Sequence, residues 1–549
     1  MEDVMDMSLD PCRDFFSYVC GNWERRYGNA TTFDVIAKSV LAVGSQRIMR
    51  EALSPLQGLV TERVMAAIQT CLDVEMTKID NSDAVTRFLS EHGVQLPPVG
   101  NETTLNPLQL MMKVNLALGI PAVFMLRPLT DLRTNDRLIL TFMEDEEFTG
   151  SARTAFYLLQ PRMISVANQF MEKYRDNPVP FAQWMTLLVH SYFASASSYP
   201  LQKASDTYAS RCVNYVEYLA PHALNSLITE SIVSTDQVET AKHILRYIKN
   251  AFPSFLNWTR RDHKDRAVER VKNLTTVFGI PRRFYSPVVM NSEYHFLPIF
   301  RGSFAENILT AYKARAEIEI FNYAFARTPR KMELDLSHKV CLRQAANAHY
   351  YRHMHAMYIP SVMMSDLTIV EGSLAASYGL AGSIVAHEMG HVFDPTTGTF
   401  SAYGLMLYAP SLPKDMLHWE GYKERLNCIV RLYESLGVRL AHGNYSIRTR
   451  DENFADIAGL EMVLVALESD VCVRLDDASP IKGLTNRQLF YVARCFLWCT
   501  SRKRSRLRSP RDPHAAIFHR CNVVLAQSAD FRNTFKCTKA ANVSCPIFK

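Results

Sequence analysis

The segment Ala381-Gly-Ser-Ile-Val-Ala-His-Glu-Met-Gly-His-Val-Phe-Asp394 decides the fold, because it places two histidines four residues apart with a glutamate after the first. Positions four apart on a helix lie on one face, so the imidazoles of His387 and His391 can reach one ion. Glu388 projects beside that ion, where it can act on a bound water. The small residues before the motif suit a closely packed helix. The alternative is that both histidines belong to the core of a buried helix.

A catalytic zinc ion needs a third protein ligand and one open position. A metzincin would have glycine and histidine where this chain has Asp394 and Thr397, and residues 392–419 contain no glutamate for an aminopeptidase-type site. The next candidate is Glu452, in Asp451-Glu-Asn-Phe-Ala-Asp456. Glu452 and Asp456 lie four apart, so Glu452 can bind zinc while Asp456 accepts a hydrogen bond from a ligand histidine. Asp394 can serve the other histidine in the same way.

Together with other motifs, these helices resemble the neprilysin and endothelin-converting-enzyme family of zinc metallopeptidases. The resemblance spans both ends of the chain. The other matching stretches are Asp10-Pro-Cys-Arg-Asp-Phe-Phe-Ser-Tyr-Val-Cys-Gly-Asn-Trp23, Asn347-Ala348 with Tyr350 and Ile359-Pro360, Asp512 with His514 and Arg520, Trp498-Cys499, Phe535-Lys-Cys537, and Cys545.

The resemblance implies a mainly α fold with minor β structure, a two-lobed gluzincin-type metallopeptidase. A catalytic lobe containing the His-Glu-x-x-His helix would face a helical covering lobe. Residues 1–30 would be an N-terminal segment tied to the catalytic lobe by disulfides, 31–284 the covering lobe, and 285–549 the catalytic zinc-peptidase lobe. The interval from Cys71 to Cys212 is shorter than in the family, so we expect a shortened covering lobe and a more open cleft.

The resemblance also implies the chemistry of the site. One Zn2+ per chain would be held by three ligands: His387, His391 and Glu452. Glu388 would be the general base, and His514 would stabilise the transition state. Asp394 and Asp456 would orient the ligand histidines, which makes Asp456 part of the catalytic group.

Substrate binding is implied for five further residues. Asn347 and Ala348 would hydrogen-bond an extended peptide, which is a use of main-chain pairing. Arg520 would hold a backbone carbonyl of the substrate. Ile384 and Trp498 would line a hydrophobic pocket.

The implied function is a zinc-dependent endopeptidase that hydrolyses oligopeptides on the amino side of hydrophobic residues, by a zinc-bound water that Glu388 activates. The alternative is a catalytically weak or inactive neprilysin-like ectodomain that acts as a binding protein. A nucleic-acid-binding protein, suggested by the basic stretch 502–511, is disfavoured by a net charge of only +6 in 549 residues. Histidines 349, 353 and 355 leave a second metal site open against ordinary strand residues. The oligomeric state is left open.

Cysteine and sequon counts indicate the compartment. The chain has 12 cysteines and six Asn-x-Ser/Thr sequons, which favour an oxidising compartment over a cytosolic protein with buried thiols. We expect a glycoprotein that is secreted or is the ectodomain of a type II membrane protein. No targeting segment is evident, so membrane attachment would need an upstream anchor absent from this chain.

The resemblance further implies four disulfides. They are Cys12–Cys537, Cys20–Cys499, Cys71–Cys212 and Cys428–Cys545. Spacing alone does not choose this connectivity. Four cysteines remain unassigned: Cys341, Cys472, Cys495 and Cys521.

Overall fold

A computed structural model describes most of the chain. No helix within the described part is both long and apolar enough to cross a bilayer. The described residues are 1–39, 59–94, 107–120, 125–130, 138–143, 168–200, 208–325, 347–352, 355–397, 419, 421–440, 443–506, 512–538 and 544–549.

Backbone contacts divide the chain into two compact units. The motif unit comprises residues 1–40, 229–279 and 344–549, and the helical unit comprises 41–228 and 280–343. These limits differ from the predicted domain limits, which placed 31–284 in one lobe and 285–549 in the other. The difference arises because the helix Thr235–Ala251 packs against the helix Arg450–Ser469, which carries Glu452.

The described part of the helical unit consists of helices, several of them amphipathic, and an antiparallel pair of strands. In Val60–Thr77, for example, Val64, Ile68 and Cys71 recur at helical spacing and are buried. The strands Met125–Thr130 and Leu138–Met143 pair antiparallel. The helices are Val60–Thr77, Ser82–Glu91, Pro107–Met112, Lys113–Ala117, Val179–Ser197, Tyr208–Leu219, Pro221–Ile232 (its last turn counted in the motif unit), Arg282–Tyr285, Pro287–Glu293 and Phe304–Phe325.

The motif unit is also mainly helical. Its core is formed by the helices around residues 374–393 and 450–469, whose inward residues are almost all buried. The helices are Glu2–Val4, Phe15–Cys20, Trp23–Tyr27, Thr235–Ala251, Phe252–Ser254, Arg261–Lys272, Ser361–Met364, Leu374–Ser377, Tyr378–Gly382, Ser383–Gly390, His391–Phe393, Tyr422–Glu434, Tyr445–Arg448, Arg450–Ser469, Asn486–Phe496, Arg502–Ser505, Ile517–Ala526 and Ala529–Thr534.

A three-stranded sheet lies beside these helices. The strand Ala356–Ile359 is central, pairing parallel with Thr275–Phe278 and antiparallel with His349–Tyr351. Among the described strands, His349–Tyr351 is therefore at the edge of this sheet, and we call it the edge strand.

Five disulfides are present among the described residues. Four are the pairs that the resemblance implies, Cys12–Cys537, Cys20–Cys499, Cys71–Cys212 and Cys428–Cys545. The fifth joins Cys495 to Cys521, two cysteines that were left unassigned. Cys472 is free and exposed, and Cys341 lies outside the described residues. Two of the bridges tie the N-terminal segment to residues near the C-terminus within the motif unit.

Candidate metal centre

The His-Glu-x-x-His segment lies on a helical run from Leu374 to Phe393. Ser373 caps the run, because its hydroxyl accepts a hydrogen bond from the amide of Ala376. The central α-helical segment, Ser383–Gly390, is called the motif helix below. The run ends at Asp394, which has an extended backbone. The predicted helix is thus present, and its end places the Asp394 carboxylate next to the last turn.

The motif helix crosses a second helix, Arg450–Ser469, called the glutamate helix below. A Cβ atom at Gly390 would lie 2.8 Å from Cα of Ala455, and one at Gly459 would lie 2.9 Å from the amide nitrogen of His387. Only hydrogen fits at these two positions, so the glycines let the backbones approach closely. The contacts run in opposite order along the two helices, which are therefore antiparallel. This close crossing brings Glu452 to the two histidines.

Three side-chain atoms that could bind one metal ion converge at the crossing, and we call their residues the ligand group. His387 Nε2 and His391 Nε2 lie 3.2 Å apart, and each lies 3.3 Å from Oε2 of Glu452. Among the described residues, these three side chains are the group that can hold a metal ion. Tetrahedral zinc with ligand bonds of about 2.0–2.1 Å separates its ligand atoms by about 3.3–3.4 Å. The observed triangle therefore has the size of one face of a zinc site.

Hydrogen bonds on the far side of each imidazole define what the triangle can bind. Nδ1 of His387 lies 2.8 Å from Asp456 Oδ1, and Nδ1 of His391 lies 2.8 Å from Asp394 Oδ2. Because a carboxylate accepts, each Nδ1 carries a proton, and in the neutral imidazole each Nε2 then presents a lone pair. Oε2 of Glu452 is buried, and although three imidazole nitrogens lie 3.2–3.3 Å from it, none makes a hydrogen bond of good geometry to it. Two lone pairs and a carboxylate oxygen therefore point at one another, an arrangement that fits a cation.

Each orienting carboxylate is also paired with an arginine. Arg520 donates from Nε and Nη2 to the two oxygens of Asp456, both at 2.8 Å, and Arg352 Nη2 donates to Asp394 at 2.8 Å. Burial alone would raise the pKa of both carboxyls, but Arg520 beside Asp456 and Arg352 beside Asp394 outweigh it and hold each pKa well below its usual range. Both carboxylates therefore stay ionised and accept from the histidines.

Glu388 and His514 flank the ligand group. Glu388 is buried on the motif helix and makes no hydrogen bond or ion pair with any described residue. His514 Nε2 lies 3.2 Å from Glu452 Oε2, and its Nδ1 donates to Asp512 at 2.7 Å. Burial works to lower the pKa of His514, but the Glu452 carboxylate outweighs it and raises the pKa to about 9.

The residues expected to bind substrate lie in two places, beside the edge strand and near the ligand group. Asn347 is exposed and Ala348 buried, just before the edge strand, and that strand packs against the motif helix. Near the ligand group, the guanidinium carbon of Arg520 stacks 3.9 Å from the centroid of the Trp498 ring. Ile384 lies on the motif helix with its side chain largely buried.

The question of a second metal site concerns the histidines near the edge strand. His355 is buried in the sheet hairpin, where its ring nitrogens hydrogen-bond Tyr350 and the carbonyl of Arg270, both at 2.8 Å. His355 is thus committed to the hairpin, whereas residue 353 lies outside the described residues. Arg352 was not singled out from the sequence, because its link to Asp394 exists only once the sheet packs on the motif helix.

The chain is similar in sequence or in fold to several known proteins, a zinc metalloprotease among them. Residues 347–545 match peptidase family M13. Endothelin-converting enzyme-like 1 of Mus musculus is 21% identical over 99% of this chain and 84% of its own length, and Homo sapiens neprilysin is 24% identical over 60% and 44%. An inhibitor complex of a Mycobacterium tuberculosis zinc metalloprotease has a TM-score of 0.69 at 16% identity, covering 98% of this chain and 96% of that one. The Haemonchus galactose-containing glycoprotein complex reaches 0.71 at 17% identity, covering 99% and 97%.

Proposed function

Since residues 347–545 are a domain of peptidase family M13, homologous to endothelin-converting enzyme-like 1 and neprilysin, we propose that the chain is a zinc-dependent endopeptidase that hydrolyses oligopeptides. The observation that carries the proposal is the convergence of His387, His391 and Glu452 on one point. The carboxylate behind each histidine supports the same conclusion, because such partners orient ligand imidazoles in zinc proteins. One Zn2+ per chain is the cofactor that this donor set favours.

The chemistry divides between the metal and the side chains around it. A zinc ion bound here would supply Lewis acidity, polarising a peptide carbonyl and making a water molecule acidic. Glu388 is free of hydrogen bonds to the described residues and is the next residue after a ligand, so it is placed to take the proton of the attacking water. The same carboxyl group then passes that proton to the leaving amine.

His514 would stabilise the charge that develops on the carbonyl oxygen. A raised pKa keeps its imidazole protonated at neutral pH, and Asp512 holds the Nδ1 proton. The Nε2–H bond, which lies beside Glu452, is then the donor available to an oxyanion. Removal of Asp512 would weaken this donor without touching the ligands.

The substrate would lie extended along the edge strand. The extended backbone of this segment suits main-chain pairing with a peptide, with Asn347 and Ala348 as the first contacts. Ile384 and Trp498 would form the hydrophobic pocket, which supports cleavage on the amino side of hydrophobic residues. Arg520 has Nε and Nη2 engaged by Asp456, which leaves Nη1 to hold a substrate carbonyl.

We further propose a shortened covering lobe and an extracellular location. The alignment with the mouse relative covers 682 positions, more than the 549 residues of the chain, so this chain has gaps relative to that protein. The five disulfides support an oxidising compartment. The division into a covering lobe (31–284) and a catalytic lobe (285–549) stays part of this proposal, except that residues 229–279 group with the motif unit.

Metal analysis and peptide cleavage test the proposed function together. The purified chain should contain one zinc per molecule and cleave an oligopeptide library before hydrophobic residues. Glu388→Gln should keep the zinc and lose turnover, because Glu388 is a base and not a ligand. Glu452→Ala should lose both. Zinc binding and peptide binding without any cleavage would instead support the alternative, a non-catalytic binding ectodomain.

A further inference from the structure

Arg352 connects the edge strand to the metal centre. The residue directly follows that strand, and its guanidinium makes two hydrogen bonds beyond it. Nη2 donates to Asp394 Oδ2 at 2.8 Å, and Nε donates to Thr397 Oγ1 at 2.8 Å. The same Oδ2 atom accepts the Nδ1 proton of His391 at 2.8 Å. A continuous path of hydrogen bonds therefore runs from the edge strand to an imidazole of the ligand group.

The Asp394 carboxylate depends on this guanidinium. Its side chain is fully buried, and a buried carboxylate is costly unless it is paired and hydrogen-bonded. Its other oxygen, Oδ1, accepts from the backbone amide of Thr397 at 2.6 Å. Arg352 and Thr397 together therefore fix both oxygens, and with them the direction in which Oδ2 meets His391.

The hydrogen bonds behind His391 match those behind His387. There Arg520 pairs with Asp456, which accepts from His387. Both imidazoles are thus backed by a buried carboxylate and a guanidinium. Arg520 comes from the helix Ile517–Ala526, whereas Arg352 comes from the strand that packs on the motif helix.

We propose that Arg352 is a positioning residue for the metal centre, holding Asp394 and through it the orientation and tautomer of His391. The inference rests on the proposed function, since it assumes that His391 is a zinc ligand. Lysine would not replace arginine fully, because one ammonium group lacks the planar fork that reaches Asp394 and Thr397 together.

The test compares zinc affinities of the full chain, measured by competition with a chelator. Arg352→Met should weaken zinc binding by about 10–100-fold, the usual effect of removing a partner behind a ligand histidine, and Arg352→Lys should recover part of the loss. The matched control is Arg487→Met. Arg487 is also ion-paired, to Glu468 and Asp530, and its side chain is 24% exposed against 25% for Arg352. This control should bind zinc like the wild type.

Two further readouts separate positioning from folding. The visible absorption of the cobalt-substituted chain reports ligand geometry, and it should change in Arg352→Met but not in Arg487→Met. Thermal unfolding of the metal-free chains shows whether each variant is folded. If Arg352→Met does not fold, Thr397→Val, which removes the second acceptor of Arg352, should show a smaller change of the same sign.

The outcomes are distinguishable from those of the proposed function. This inference alone would be overturned if the wild-type chain binds zinc and a folded Arg352→Met variant has the same zinc affinity and the same cobalt spectrum. If Arg352→Met does not fold, unchanged zinc affinity in both Thr397→Val and Arg352→Lys would overturn the inference instead. Wild-type chain that binds no zinc would overturn the proposed function as well.

Discussion

Replacing Gly390 with alanine tests how the metal centre is assembled. Gly390 has helical backbone angles, so helix propensity alone would favour alanine by about 1 kcal/mol. The structure predicts the opposite outcome, because the added Cβ would lie 2.8 Å from Cα and 2.9 Å from the carbonyl oxygen of Ala455. These are backbone atoms, which cannot rotate away.

The size of the effect follows from the displacement. Carbon atoms need about 3.5 Å, so the motif and glutamate helices must separate by roughly 0.5 Å or more at this point. Zinc sites hold their distances within about 0.2 Å, and Ala455 is one turn from Glu452. We expect at least a tenfold loss of zinc affinity for Gly390→Ala, and overpacking of about 1–3 kcal/mol in the metal-free chain.

The assay is chelator competition for zinc combined with urea unfolding of the metal-free chain. Gly382→Ala is the matched control on the same helical run, since its Cβ would meet only side-chain atoms, at 3.2–3.3 Å. It should change zinc affinity little. The reasoning is refuted if Gly390→Ala binds zinc as tightly as the wild type and unfolds at the same urea concentration.

Three other predictions concern stability, pH and substrate size. Tyr378→Phe should lower the free energy of unfolding by about 1.5–3 kcal/mol in urea titrations, because the Tyr378 hydroxyl donates at 2.8 Å to the fully buried Asp470 carboxylate; an unchanged midpoint would contradict this. Asp512→Asn should move the alkaline limb of the kcat/KM profile to lower pH by roughly one unit. Asp512 helps to raise the pKa of His514 to about 9, so without it the imidazole loses its proton at lower pH. An alkaline limb that stays in place would exclude His514 as the titrating group. If the covering lobe is shortened, the protein should cleave a target sequence within a long unfolded chain as well as in a short peptide. Strong rejection of the long chain by a well-folded sample would contradict the proposed shortening of the lobe.

Local periodicity explains why much of the site was predictable. His387 and His391, like Glu452 and Asp456, are four residues apart, and a helix places such pairs on one face whatever surrounds it. The motif helix and the glutamate helix are both present, and the side chains of His387, His391 and Glu452 lie close together. Spacing within each helix does not by itself bring the two helices together.

Features that depend on packing were not predictable in the same way. Arg352 is one arginine among many until the edge strand lies against the motif helix, and only then does it reach Asp394. The Cys495–Cys521 pair has no signal in spacing, since many pairings satisfy the same cysteine count. The grouping of residues 229–279 with the motif unit follows from long-range helix packing, which the order of motifs along the chain does not reveal.

The most direct test of the central claim is an anomalous diffraction measurement at the zinc absorption edge on crystals of the full chain. The account predicts one strong peak per chain, about 2.0–2.2 Å from His387 Nε2, His391 Nε2 and a carboxylate oxygen of Glu452, and no such peak in Glu452→Ala crystals grown under the same conditions. A zinc-loaded sample whose peak lies elsewhere, or whose peak persists unchanged without Glu452, would contradict the assignment of these three side chains as the metal centre.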